Sequence, residues 1–349
     1  MNFEEFKEQL RNDLLGVLPK DMQDVEIDFQ RTEKLQKGSY DGMMVRQVGQ
    51  PIGMNVDLNR FYSEYENGTS YEECLEELGA IVSHNLYEMP KINVEQLKDY
   101  ERLKSMLSIQ VVLTEPNVDM LANIPHKEIE DLSMVYRFVT NEDQENIQSI
   151  LVTNKMLEVY GISAEQVHHD ALEMAPIYKP MEIRSMAEVV REMMGDDFPI
   201  EMMEADDMMY VATTECKSMG AGVIAYPDFM EKAAEKVNGD FYLLPSSLYE
   251  VLLVPDRGCR SYHELESMVR EVNETQVSPE ERLSDNVYHY DSKAKIFEIV
   301  KKYEERQNKR EVEGRSSVLG NLDYMKKECA DRPKNEALEL KKESDRAAI

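Results

Sequence analysis

The sequence predicts an α+β fold: mixed, mostly antiparallel sheets with flanking helices, followed by a flexible charged C-terminal tail. Three observations lead there. Short apolar runs and stretches of helical periodicity are interleaved, but without the regular strand–helix alternation of a doubly wound parallel sheet. Serine-led capping boxes mark where helices begin. Beyond Tyr303 charge is dense and clustered apolar residues vanish, so that stretch cannot bury enough surface to offset the entropy of ordering it.

Each element follows in order. Phe3, Phe6, Leu10 and Leu14 recur at helical spacing and Pro19 closes the segment, which predicts an N-terminal amphipathic helix. Val25, Ile27 and Phe29 alternate with polar neighbours, and the runs Met43 to Val48 and Ile52 to Leu58 follow across Gly49 and Pro51. Three antiparallel strands result. Ser70 and Glu73 form a capping box before a helix carrying Leu75, Leu78, Val82 and Leu86 as far as Pro90. Ser163 with Gln166, Ser185 with Glu188, Ser261 with Glu264 and Ser278 with Glu281 repeat the spacing, so these serines read as caps rather than nucleophiles. Strands are expected at 107–113, 134–140, 148–153, 208–214, 241–244, 248–254 and 287–290.

A seam at Glu115-Pro-Asn117 divides an N-terminal α+β part, 1–115, from a C-terminal α+β part, 116–300, which either continues the first as one unit or stands apart from it. Residues 301–349 are expected as a frayed helix and a flexible tail. The start MNFEEFKEQL reads as neither signal nor transit peptide, and no window has the apolar length to span a bilayer. A cytoplasmic location is the expectation.

The 349 residues carry a net charge of -29. Residues 301–349 hold 13 basic and 11 acidic residues, so the acidity belongs to the body. Such a charge repels phosphate backbones and anionic lipid, which excludes direct nucleic-acid and membrane binding and favours a protein partner, a basic one. Cys74, Cys216, Cys259 and Cys329 form no CxxC pair, so neither a disulfide framework nor a structural zinc is indicated. Cys216, between Glu215 and Lys217, is expected to be half-buried and structural.

No chemical motif is complete. His263-Glu264 has Ser267 where a zinc protease needs its second histidine. His168, His169 and Asp170 are adjacent on a helix and diverge around its axis, so no metal is assigned. Gly220-Ala-Gly222 lacks the third glycine of a dinucleotide site and the Lys-Ser/Thr of a phosphate loop, and reads as a hairpin or bulge. No cofactor is indicated. The weak catalytic candidates are His126, Glu128 and Asp131, in a loop that leads to the strand from Met134. A general base beside carboxylates would suit hydrolysis, with the loops of Ser246 and Ser284 as further candidates. The alternative for His126 is a bond to a neighbouring backbone carbonyl. The 23 methionines read first as fillers of an irregular core; the alternative is an adaptable contact surface, for which Met193, Met194, Met202 and Met203, flanking Gly195 to Pro199, are the candidates.

The stretches Val56 to Gly68, Ile124 to Tyr136, Leu243 to Pro255 and Met268 to Tyr288 together resemble a bacterial domain-of-unknown-function family, number fifty-six eighty-eight. The resemblance covers most of residues 1–300. It implies a cytoplasmic protein of anaerobic intestinal bacteria encoded near mobile-element genes, and attaches no activity and no catalytic residue. Asn286 stands where the family places a histidine after Ser-Asp, which argues against a ligand role at that position. The expected function is that of an acidic cytosolic interaction or regulatory protein without catalytic activity; the alternative is a hydrolase built from the loops around His126, Ser246 and Ser284.

Overall fold

The computed structural model describes residues 1–36, 38–50, 53–88, 96–142, 147–194, 209–245, 247–258 and 261–310. The chain forms two compact units, Met1–Phe297 and Glu298–Ile349. The expected tail from residue 311 onward lies outside the described residues.

The first unit opens with helix α1 (Phe3–Val17), whose N-cap Asn2 and Glu5, the third residue of its first turn, make a reciprocal capping box. Strands β1 (Val25–Lys34), β2 (Gly38–Gln47) and β3 (Met54–Asp57) form an antiparallel sheet in that order, with Val25 opposite Gln47 and Lys34 opposite Gly38. Helices α2 (Leu58–Glu66) and α3 (Tyr71–Glu88) follow. The periodic residues of the sequence do what their spacing requires. Phe6, Leu10 and Leu14 of α1 meet Leu78, Val82 and Leu86 of α3 and Ile27, Met43 and Val45 of the sheet in one core.

Next come α4 (Tyr100–Lys104), β4 (Leu107–Leu113), the short α5 (Val118–Leu121), β5 (His126–Ile129), β6 (Leu132–Glu142) and β7 (Ile147–Leu151). The long β6 has β4 on one flank and β5 and β7 on the other, all antiparallel. Side chains alternate along β6. Tyr136 and Phe138 point to one face, where Tyr136 meets His168 of α7 (Ala164–Tyr178), which follows α6 (Asn154–Tyr160). Val135 and Arg137 therefore belong to the opposite face.

Then β8 (Met181–Ser185), α8 (Met186–Met194) and β9 (Tyr210–Thr214) lead to a buried 3-10 segment, Gly220–Ala225. Helix α9 (Phe229–Val237), β10 (Phe241–Leu244), β11 (Val251–Pro255), α10 (Tyr262–Thr275), β12 (Tyr288–Asp291) and β13 (Ile296–Ile299) follow, and residues 300–310 are helical. The third sheet runs β13-β12-β10-β11-β9-β8. The α+β class with antiparallel sheets and flanking helices is thus the observed one.

Several local expectations change. His126 and Glu128 lie on an edge strand, not in a loop, because β5 pairs along β6 from Val135 to Leu132. Gly220-Ala-Gly222 is neither hairpin nor bulge but the start of the 3-10 segment, packed so closely that a Cβ on Gly222 would stand 2.2 Å from the Ile109 carbonyl oxygen. Ser278 to Glu281 makes one turn and no helix: Ser278 Oγ donates to Glu281 and the chain then turns inward to bury Leu283 and Ser284. Ser70, Ser163 and Ser185 cap as their spacing requires, whereas Ser261 makes no side-chain cap. Cys216 is exposed, since its strand has ended at Thr214 and the chain turns at the surface. Cys259 lies outside the described residues.

Candidate functional site

The sequence candidates separate into two places. His126 and Glu128 are exposed on β5, and His126 Nδ1 bonds the Ile124 carbonyl at 3.1 Å. Asp131 sits at the β5–β6 turn, roughly 13 Å along the strand from the residue opposite His126. Its carboxylate accepts from Ser284 Oγ (2.7 Å), Asn286 Nδ2 (2.9 Å) and Tyr288 Oη (2.5 Å). Asn273, buried on α10, donates to the Ser284 carbonyl and to Asp285. Burial and the Asp131 charge hold the Tyr288 hydroxyl well above its usual ionisation. This cluster joins Asp131 and Ser284 without His126, and the group at the Ser284 hydroxyl is the Asp131 carboxylate, already engaged by Asn286 and Tyr288. It pins the 284–288 segment to the β5–β6 turn. Ser246, Met202 and Met203 lie outside the described residues; Met193 and Met194 end α8, 80% and 66% exposed.

His169, Asp170 and Glu173 come within 4.8 Å of one another through one donor atom each. Asp170 is nevertheless occupied: Lys104 Nζ (2.6 Å), Tyr100 Oη (2.6 Å) and Gln166 Nε2 (3.0 Å) all reach it. Burial raises its proton affinity, but these bonds and the Lys104 charge outweigh that and hold the carboxyl below the ordinary range. A carboxylate so engaged has little left for an ion. Burial first, then Lys127 and His169, lower the His168 imidazole, whose Nδ1 shares a 2.7 Å hydrogen bond with Tyr136.

A cavity of about 590 Å³ opens elsewhere, on the Val135–Arg137 face of β6. The β1–β2 hairpin tip forms one wall. It is tied down by Gln36, whose Oε1 accepts from Asn117 Nδ2 at 2.6 Å while its own backbone N–H donates to Asn117 Oδ1 at 2.7 Å. Leu35, Met120, Leu151 and Leu248 make an apolar shelf. Arg137 marks the polar side, with Nε donating to Ser149 Oγ (2.9 Å) and Nη1 to Gln110 Oε1 (3.2 Å). Those bonds use two of the five guanidinium donors. Burial lowers Arg137 from its usual value, and among the described residues no acid counteracts that effect. Glu33, Glu280 and Glu281 line the same space.

Ser218 also lines the cavity. Lys179, at the C-cap of α7 and only 2% exposed, places Nζ 2.6 Å from Ser218 Oγ. The residues on either side of Ser218, Lys217 and Met219, hold φ of 59° and 52°, the left-handed region that side chains with a Cβ seldom enter. Sequence reasoning missed Arg137, Lys179 and Ser218. Arg137 left a trace, as the only charge in the otherwise apolar run from Met134 to Val139; the 39-position separation of Lys179 and Ser218 left none.

No curated protein and no solved structure matches the chain. The model of the family of unknown function DUF5688 matches residues 3–292, and the chain belongs to that family.

Proposed function

We propose that the protein is a cytosolic regulatory protein that binds a small amphipathic carboxylate in the Arg137 cavity. The observation that carries this reading is the partly buried guanidinium of Arg137, whose hydrogen-bonding partners among the described residues are the neutral Ser149 and Gln110. Taking a cation out of water is costly unless an anion meets it, and a guanidinium fork matches a planar oxyanion. The cavity volume suits a small ligand, and its apolar shelf suits a hydrocarbon body. A net charge of -29 and three carboxylates lining the same space favour a monoanion over a doubly charged phosphate, and leave room for a ligand with a cationic far end.

Calorimetry with hexanoate, 6-aminohexanoate and hexylamine tests the reading. The two carboxylates should bind and the amine should not. Arg137→Met, which preserves much of the volume, should weaken carboxylate binding about 10- to 100-fold, the worth of a charge-assisted bond. Equal binding of hexylamine, or an unchanged affinity in a folded variant, would overturn it.

A second reading, a basic protein partner, is favoured by the same net charge and by the exposed Met193 and Met194 at the end of α8, a helix with no buried residue. It calls for binding that weakens steeply with added salt. Direct nucleic-acid binding is not part of either reading. Among the described residues no helix is long and apolar enough to cross a membrane.

A further inference from the structure

The Ser218–Lys179 contact adds chemistry to the cavity. We propose that Ser218 is an acyl-accepting nucleophile and Lys179 its general base, so that the cavity cleaves small esters or amides. The inference rests on the cavity being a small-molecule site, and deepens that reading from binding to turnover.

Three independent observations point the same way. Ser218 lines the cavity, where a ligand carbonyl can approach it. Lys179 Nζ donates to Ser218 Oγ at 2.6 Å and to the Ser218 carbonyl at 3.4 Å, and the first separation is one at which a base can take a hydroxyl proton. The serine stands between two residues with left-handed backbone, Lys217 and Met219. Strain of this kind persists only where the surroundings enforce it, and it gathers at functional sites. Here the enforcement is visible. Thr214 Oγ1 donates to the Ser218 carbonyl (3.3 Å), Lys217 N–H donates to the Thr214 carbonyl (2.8 Å), and Gly220 is wedged against the Tyr249 carbonyl. The 3-10 segment and β9 thus hold the serine from both sides, while Tyr226 Oη fixes the lysine backbone by donating to the Lys179 carbonyl at 2.9 Å.

The step balances within these groups. Lys179 in its amine form takes the Ser218 proton as Oγ attacks the carbonyl carbon, forming the C–O bond and moving the carbonyl electron pair onto oxygen. Collapse expels the alcohol or amine, which leaves with the proton from Lys179, and Ser218 carries the acyl group. Water then attacks the same carbon, gives its proton to Lys179, and Ser218 departs and recovers it. The net reaction consumes one water. Arg137, on the same lining, would hold a carboxylate elsewhere on the substrate, which makes a carboxylate-bearing ester or amide the preferred class.

The competing account is structural: a lysine ammonium that only ties down the 214–218 turn. An alkyl fluorophosphonate separates the two, since it reacts with activated serines without needing a carboxylate. The serine oxygen displaces fluoride from phosphorus and its proton goes to the base. Intact-mass measurement should show one adduct per wild-type chain, mapped to the peptide holding Ser218, and none on Ser218→Ala. Lys179→Arg keeps a hydrogen-bonding cation that cannot accept a proton, so it should label at least about 100-fold more slowly. Thermal melts confirm that each variant is folded, and hexanoate binding is measured on the same samples. No adduct on folded wild-type protein, labelling retained in Ser218→Ala, or full labelling in Lys179→Arg would each overturn the dyad. Hexanoate binding with no label would sink the dyad alone. A label without hexanoate binding would sink the carboxylate reading alone.

Discussion

Asp170 shows how one residue carries both stability and pH sensitivity. Its carboxylate is buried with Lys104, Tyr100 and Gln166 around it. The engaged, charged form is favoured in the folded chain, so its proton affinity lies below that of the unfolded chain. The sign follows: the contribution is complete above the ordinary aspartate value of about 3.9 and is lost as pH falls through the lower folded value. Asp170→Asn should therefore lower unfolding stability by about 2 kcal/mol at neutral pH. In urea melts the gap between variant and wild type should hold from about pH 7 to 5 and close below about pH 4. A gap unchanged at low pH would mean that packing, not charge, is what Asp170 supplies. The same logic separates Asp131 from a catalytic group: three donors converge on it, and a carboxylate so engaged is an anchor before it is a base.

At the scale of elements, the clearest constraint is the seat of the 3-10 segment Gly220–Ala225. A Cβ on Gly220 would stand 2.0 Å from both the Tyr249 carbonyl oxygen and Thr213 Oγ1, and backbone cannot yield as a side-chain end can. Gly220→Ala should cost about 2 kcal/mol or more and shift the Ser218 turn with it. Gly16, in the last turns of α1 with nothing within 4 Å of its Cβ position, is the control. Gly16→Ala should stabilise by about 0.5–1 kcal/mol, because alanine loses less backbone entropy in a helix. Thermal or urea melts of the pair should move in opposite directions; equal shifts would show that the 3-10 segment gives way. Elements of this kind also mark where sequence reading succeeds. Helices α1 and α3 were legible because their apolar residues repeat every three or four positions and their caps are local in sequence. Strand β5 was not, since His126-Lys-Glu-Ile129 has a single apolar residue and is held by pairing with β6 rather than by propensity. The site was less legible still. Lys179 and Ser218 meet across 39 residues, and Asp131 and Ser284 across 153, so their proximity is set by how sheets pack, which no local period encodes.

Across the whole molecule, the balance of 69 acidic against 40 basic residues decides the response to salt. Even if every base were paired, 29 carboxylates would remain, so mutual repulsion outweighs the sum of surface pairs. Those pairs, such as Lys232 with Asp228 or Lys295 with Glu231, are exposed and screened by solvent, so each contributes little. Salt weakens attraction and repulsion alike, so the larger quantity sets the sign. Raising sodium chloride from about 20 mM to 0.5 M shortens the screening length from roughly 20 Å to about 4 Å. Repulsion between carboxylates spread over the surface is then removed while contacts at 3 Å survive in part. The midpoint of thermal unfolding should rise by several degrees across that range, and most of the gain should come below about 0.15 M, where the screening length changes fastest. Preferential exclusion of salt from apolar surface would instead give a gain that grows with concentration and is larger for sulfate at equal ionic strength. A midpoint that falls with added chloride would show that the paired charges, not the 29 in excess, govern the stability of this chain.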